Sequence, residues 1–133
     1  MDKKKRKYKK KSKMQRLRDK ADRLWFEACL KRAGNKCELT DQVFGLQSHH
    51  FFSKGLYPML RFDLDNGVVL KKGLHFNHHH KGDPTVHQRI IEKRGIDWYN
   101  KLLKRSHFKL KNSYQNISYY EDIIQELEKE IED

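Results

Sequence analysis

Four histidines, a residue type that binds metals and moves protons, and one asparagine stand out in the middle of the chain. They are an adjacent histidine pair, His49 and His50, an asparagine, Asn66, and two further histidines, His75 and His79. Histidine is the commonest metal-binding side chain, and its pKa lies nearest to neutral pH. We therefore expect these residues to form a site that holds a metal ion and transfers a proton.

The segments around these residues predict how they are positioned. Residues 37–52 and 68–70 are apolar, β-branched or aromatic, and they predict two antiparallel strands joined by a long loop. On a strand His49 and His50 point to opposite faces, so one can bind a metal while the other acts as a base. After residue 73 the chain predicts a helix that ends at residues 82–84, with His75 and His79 one turn apart on one face.

Three further helices are predicted outside this region. Apolar residues recur at helical spacing from about residue 14 to 32, from about 85 to 106 with a break at Gly95, and from 118 to 132. The second of these helices should cover the sheet. For the third, Ser118 and Glu121 predict a capping box. Trp25 and Phe26 in the first helix are interpreted as core residues.

The distribution of charge favours a polyanionic partner. The chain has 30 Lys and Arg against 18 Asp and Glu, with a formal net charge of +12. Residues 1–20 carry twelve of the basic residues and two acidic ones, so we expect residues 1–13 to be a disordered arm until it meets phosphates. The alternative for this arm is a solvated tail. Nucleic acid is the first candidate for this partner and an anionic membrane the second, and we predict DNA and no membrane.

The two ends of the chain carry opposite charge. From Glu121 onward there are seven acidic residues and one lysine. We interpret this acidic C-terminal helix as a docking helix, or as the interface for a protein partner or for a homodimer.

Composition also bounds the cellular location. We expect no membrane span and no signal peptide, because the chain contains no apolar run of the necessary length. The protein is therefore expected to be soluble and cytoplasmic. The two cysteines, Cys29 and Cys37, are expected to be small buried residues and not a disulfide.

The site residues resemble those of the HNH endonuclease superfamily, which has a ββα-metal fold. Their spacing is most similar to that of the nuclease domains of DNase colicins, in which a His-His pair and an Asp-Asn are followed by two histidines. In this chain His75 and His79 lie nine and thirteen residues after Asn66. The basic start and residues 61–66 also resemble phage-borne HNH proteins such as NinG-like recombination nucleases.

The resemblance implies a role for each of the five residues. His49, His75 and His79 would bind one divalent metal ion, and His50 would be the general base that takes a proton from the attacking water. Asn66 would tie the loop together across the hairpin and so orient the base. The products would carry a 5′-phosphate and a 3′-hydroxyl. A shift of one residue would replace His79 by His80 as the last ligand.

This chain departs from many family members in lacking cysteine pairs for a structural zinc. Thr40 stands where Cys37 would need a partner, and Lys71 and Leu74 stand at the positions of the later pair. We therefore expect no structural zinc. A three-histidine ligand set suits zinc, nickel, cobalt or manganese better than magnesium, which prefers oxygen ligands.

Basic residues near the site are candidates for binding DNA phosphates. The proposed set is Arg61, Lys54, Lys71, Lys72 and Lys81. Arg61 offers a planar fork that suits a phosphate, and the alternative for it is a surface salt bridge to Asp63 or Asp65. Outside this set, His78 and His80 are expected to be exposed or to contact phosphate, and His87 and His107 are expected at the surface.

Together these observations predict an α+β protein with a basic N-terminal arm at 1–13. Residues 14–133 would form a single domain, with a ββα-metal core at about 37–82 embedded in flanking helices that include C-terminal helices at about 85–132. The expected function is metal-dependent hydrolysis of double-stranded or branched DNA, with a phage origin and action in the bacterial cytoplasm. The alternatives are a non-catalytic DNA-binding module with a structural metal, and a partner-dependent subunit of a DNA recombination or packaging complex.

Overall fold

Four α-helices, three short 3₁₀ helices and a two-stranded antiparallel sheet make up the regular structure in the described residues, 9–74 and 85–133, of a computed structural model. The predicted α+β class is therefore confirmed. Residues 72–74 are also helical, directly after the second strand. The elements in chain order are α1 (Lys13–Arg32), β1 (Leu46–His50), β2 (Gly67–Lys71), α2 (Thr85–Arg94), α3 (Ile96–Arg105) and α4 (Ile117–Glu132).

The hairpin encloses a long loop, as the sequence predicted. β1 and β2 pair from Leu46 opposite Lys71 to His50 opposite Gly67, and residues 51–66 connect them. The first strand is shorter than the predicted 37–52. Residues before β1 form a turn in which the Cys37 N–H donates to the Gln42 carbonyl at 2.8 Å, and Asp41 has a φ of 60°. That backbone conformation is incompatible with an extended strand.

β2 is buried on both faces, because helices pack on each side of the hairpin. Val68 and Leu70 point to one side and Val69 to the other, as the alternation of a strand requires. The first side holds Cys37, Phe51 and Leu60 with Val86 and Ile90 of α2 and Leu102 of α3. The second side holds Trp25, Ala28 and Cys29 of α1 with Leu127 of α4. The hairpin therefore lies between two helical layers.

The predicted first helix is confirmed as α1, which begins after its N-cap, Ser12. The Ser12 hydroxyl accepts the Gln15 N–H at 3.1 Å. α1 packs tightly against β2 at Gly67, where any Cβ would overlap the Cys29 sulfur and lie 3.1 Å from Trp25 Cζ2. Glycine at this position lets the helix pack directly against the hairpin. Residues 1–8 lie outside the described part of the chain.

The predicted helical region after residue 85 is two helices, as expected from Gly95. This glycine has a φ of 95°, a conformation that other residues rarely adopt, and it separates α2 from α3. Val86, Ile90 and Leu102 of these helices pack on Val68 and Leu70, which confirms that this region covers the sheet.

The acidic C-terminal helix docks on the chain's own α1. Tyr120, Ile124 and Leu127 are its buried residues, and Leu127 packs against the α1 side of the core. The Lys31 ammonium donates to the carbonyls of Glu130 and Ile131 at the end of α4. The capping-box prediction was wrong, because the N-cap is Asn116 and not Ser118.

In place of a capping box, the Asn116 side chain accepts the Tyr119 N–H at 2.9 Å. α4 therefore begins at Ile117, one residue before the predicted segment 118–132.

Cys29 and Cys37 are buried free thiols, as predicted. Within residues 9–74 and 85–133 no helix is long and apolar enough to cross a bilayer.

Candidate active site

The adjacent histidines face opposite helical layers, as predicted from strand geometry. Ser48 and His50 point toward α1, where the Ser48 hydroxyl donates to the Phe26 carbonyl at 3.2 Å and His50 contacts Trp25. His49 points the other way, toward His87 of α2. The two imidazoles therefore have separate surroundings and can perform separate tasks.

His50 is held on two sides. Its ring stacks on the Trp25 indole with the ring centroids 4.0 Å apart and the planes 6° from parallel. Its Nε2 lies 2.9 Å from the Arg61 carbonyl oxygen. A carbonyl oxygen can only accept a hydrogen bond, so Nε2 carries a proton and donates it. In the neutral ring the basic nitrogen is then Nδ1.

The surroundings of His50 also favour its neutral form. Burial lowers the pKa of the His50 imidazole below its usual value, and the positive charges of Lys54 and Arg61 act in the same direction. The hydrogen bond to the Arg61 carbonyl opposes this effect. A neutral imidazole near pH 7 is the form that can accept a proton from water.

Asn66 ties the two ends of the loop together from inside the protein. Its side chain is fully buried; Oδ1 accepts the Phe52 N–H at 2.8 Å, and Nδ2 donates to the carbonyls of Phe52 and Leu60 at 3.0 and 3.1 Å. The Asn66 carbonyl also accepts the Phe51 N–H at 2.9 Å. These bonds hold together the loop that contains Arg61, whose carbonyl accepts the hydrogen bond from His50.

The predicted metal ligand within the described residues is His49, which is 1% exposed and lines the same cleft as His50. The His87 ring lies with its centroid 6.3 Å from that of His49, and it stacks on Phe51 at 4.1 Å. The neighbouring imidazoles of His49 and His87 offer the nitrogen donors that borderline divalent ions prefer. The nitrogen donors of His49 and His87 therefore fit a metal such as zinc, nickel or manganese.

Other parts of the predicted metal site lie outside the described residues. This holds for His75 and His79, for the alternative ligand His80, for His78 and for Lys81. Among residues 9–74 and 85–133 no three His, Cys, Asp or Glu side chains are grouped so that they could hold a metal ion. The three-histidine ligand set thus stays a prediction.

Arg61 forms an ion pair with Asp22, which is not one of its predicted partners. Its guanidinium donates to both carboxylate oxygens of Asp22 in α1, at 2.9 and 2.7 Å. The expected alternative partners, Asp63 and Asp65, are instead paired with Arg105, and Asp65 also with Arg32. Phosphate binding by Arg61 stays a prediction, and it would compete with this bidentate pair.

A cleft of about 530 Å³ opens beside the two histidines. Lys54 and Ser53 of the loop line it together with Asp22 and Trp25 of α1. Lys71 and Lys72 stand at the opposite end of the hairpin, since Lys71 pairs with Leu46. Lys71 is four residue steps along the strand from Gly67, which corresponds to a distance of about 13 Å.

A larger cleft, of about 640 Å³, lies between the loop and α4. It is lined by two aspartates and two arginines that form ion pairs. Asp63 pairs with Arg105, and Asp65 pairs with both Arg32 and Arg105. None of its lining residues is a histidine. The cleft of about 530 Å³, which His49 and His50 line, is therefore the better candidate for the active site.

Three residues near the site were not predicted from the sequence. The sequence predicts core packing for Trp25, which is buried, but its indole also lies against one face of the His50 ring. The sequence predicts a surface position for His87, whereas it is half-buried against Phe51. Asp22 lies outside the predicted site residues. A helical spacing of three between Asp22 and Trp25 was the available signal, since it places both on one face of α1.

Comparisons of the chain with protein-family models, with curated proteins and with solved structures found no match.

Proposed function

We propose that this protein is a metal-dependent HNH endonuclease that hydrolyses phosphodiester bonds in DNA. The observation that carries the proposal is the setting of His50. Its Nε2–H donates to the Arg61 carbonyl, and its ring stacks on Trp25. His50 also lines an open cleft beside the buried His49. A fixed neutral imidazole at the wall of a cleft is suited to act as a general base.

The chain's own residues would divide the reaction as follows. His50 accepts a proton from the attacking water at Nδ1, while the Arg61 carbonyl holds Nε2–H and so keeps the ring in the required tautomer. Lys54, at the edge of the cleft, binds a phosphate of the DNA backbone. Asn66 maintains the loop that supplies the Arg61 carbonyl.

His49 would bind a divalent metal ion together with His75 and His79. When bound, such an ion would stabilise the negative charge that develops on the phosphate and the leaving oxygen. Two observations support this assignment. His49 is buried next to the base, and the imidazole of His87 lies nearby. A phage origin and action in a bacterial cytoplasm remain predictions from the family resemblance.

The test is cleavage of supercoiled plasmid by wild type, His50→Ala and His107→Ala, with Mn²⁺, Mg²⁺, Ni²⁺ or Zn²⁺ and an EDTA control. His107 is exposed and distant in sequence from the site, so it serves as a matched histidine control. We expect metal-dependent nicked or linear product from wild type and His107→Ala. His50→Ala should bind metal but leave the plasmid intact.

Two results would contradict the proposal. Cleavage by His50→Ala at the wild-type rate would remove His50 from the reaction. DNA binding without cleavage by wild type under every ion would favour a non-catalytic DNA-binding module. Branched junctions should be included as substrates, because the charge pattern does not distinguish them from duplex DNA.

A further inference from the structure

α1 acts on the proposed base through two residues, directly through Trp25 and indirectly through Asp22. Trp25 stacks in parallel on the His50 ring at 4.0 Å, and Asp22 holds the Arg61 side chain by two hydrogen bonds. Arg61 in turn supplies the carbonyl that accepts Nε2–H of His50 at 2.9 Å. Asp22 and Trp25 are three residues apart, so they share one face of the helix.

Trp25 is itself fixed in place and is not merely adjacent. It is 3% exposed, and its Nε1–H donates to the Asp63 carbonyl at 3.1 Å. The absence of a side chain at Gly67, the strand partner of His50, allows Trp25 and Cys29 to pack directly against the hairpin. The indole is therefore a rigid surface against which the imidazole lies.

We infer that Trp25 and Asp22 of α1 are positioning residues that hold the His50 imidazole in the orientation needed for proton transfer. This inference rests on the proposed function. Trp25 restricts the tilt of the ring, and Asp22 restricts the loop residue that binds its Nε2–H. A base displaced by about 1 Å can lose on the order of a hundredfold in rate, so small movements at this wall matter.

Trp98 provides a matched control within the same protein. Its Nε1–H donates to the Asp65 carbonyl at 3.0 Å, much as that of Trp25 donates to the Asp63 carbonyl. Trp98 packs edge-on against Phe51, however, and among the described ring contacts it has none with His50. Replacing either tryptophan removes a packed indole and its hydrogen bond to a carbonyl of the loop, but only Trp25 should affect the base.

The first measurement is independent of nuclease activity. In NMR spectra of protein with labelled histidines, the ring C–H signals of His50 should be shifted upfield by the indole face. The signals are assigned by their loss in His50→Ala. Trp25→Leu should abolish the upfield shift, and Trp98→Leu should keep it. Unshifted His50 signals in wild type, or a shift that survives in Trp25→Leu, would overturn the inference.

The second measurement separates catalysis from DNA binding. Trp25→Leu should lower kcat by about ten- to a hundredfold while the DNA Kd changes less than about twofold, because the indole orients the base and holds no phosphate. Trp25→Phe, which keeps a stacking ring, should recover most of the rate. Trp98→Leu should be less stable but keep its kcat.

Asp22→Asn keeps the shape of Asp22 and removes its charge, so it tests the same idea if Trp25→Leu does not fold. It should lower kcat severalfold. Equal losses of kcat in Trp25→Leu and Trp98→Leu would show a purely structural role, as would unchanged kcat in folded Trp25→Leu and Asp22→Asn. If wild type cleaves no DNA, the proposed function fails, and the NMR comparison still decides whether α1 orients His50.

Discussion

Replacing Asn66 with alanine should destabilise the protein by about 3 kcal/mol. The side chain is fully buried and makes three hydrogen bonds, to the N–H and carbonyl of Phe52 and to the carbonyl of Leu60. Each typically contributes about 1 kcal/mol, and an unsatisfied buried partner costs about 1–3 kcal/mol. Against a total stability of about 5–15 kcal/mol, this loss is large.

The assay is equilibrium urea unfolding followed by far-ultraviolet circular dichroism, with the thermal midpoint as a second measure. A loss of about 3 kcal/mol corresponds to a decrease of roughly 10 °C in Tm for a domain of this size. Asn100→Ala is the control, since Asn100 is exposed in the interior of α3. Alanine has the higher helix propensity, so this variant should be as stable as wild type or slightly more stable.

Asn66→Asp separates hydrogen bonding from shape. The introduced carboxyl can still accept the Phe52 N–H, but when ionised it faces the carbonyls of Phe52 and Leu60 without a proton to donate. Burial should raise its pKa in the folded state. The loss of stability relative to wild type should therefore be smallest below about pH 4 and should grow as the pH rises through the raised pKa.

The reasoning would be refuted if Asn66→Ala remained within about 1 kcal/mol of wild type at unchanged urea dependence. It would be equally refuted if Asn66→Asp showed no dependence on pH beyond that of wild type. Either result would mean that the three bonds seen around Asn66 do not hold the loop in solution.

Two further predictions concern the contact between α1 and the hairpin. Gly67→Ala should cost about 1–3 kcal/mol, because its Cβ would overlap the Cys29 sulfur. Gly73→Ala, with no atom of the described residues within 4 Å of an added Cβ, should be near neutral, and combining Gly67→Ala with Cys29→Ala should show coupling in a double-mutant cycle. Burial raises the pKa of Cys29 to about 12, so in Cys37→Ala the remaining thiol should resist DTNB at pH 8 until urea is added. Rapid reaction of one thiol in the folded protein would contradict this.

Much of the fold could be predicted from the sequence because the signals are local. The apolar spacing of α1, the break at Gly95 and the alternation of His49 and His50 on β1 each depend on residues within one or two turns or strand steps. The confirmed predictions are of this type. The limits of β1 and the N-cap of α4 were wrong because turn geometry at Asp41 and a competing cap at Asn116 decided them.

For the candidate site, the sequence by itself determined which side chains could do the chemistry, since histidine spacing and strand alternation are properties of the chain alone. Only the tertiary structure decided what surrounds them. Trp25 stacks on His50, which is 25 residues away in the sequence. Asp22 forms an ion pair with the Arg61 guanidinium, which is 39 residues away. Such contacts depend on how helices pack against the hairpin, because burial against a distant surface leaves no periodic signal in the sequence.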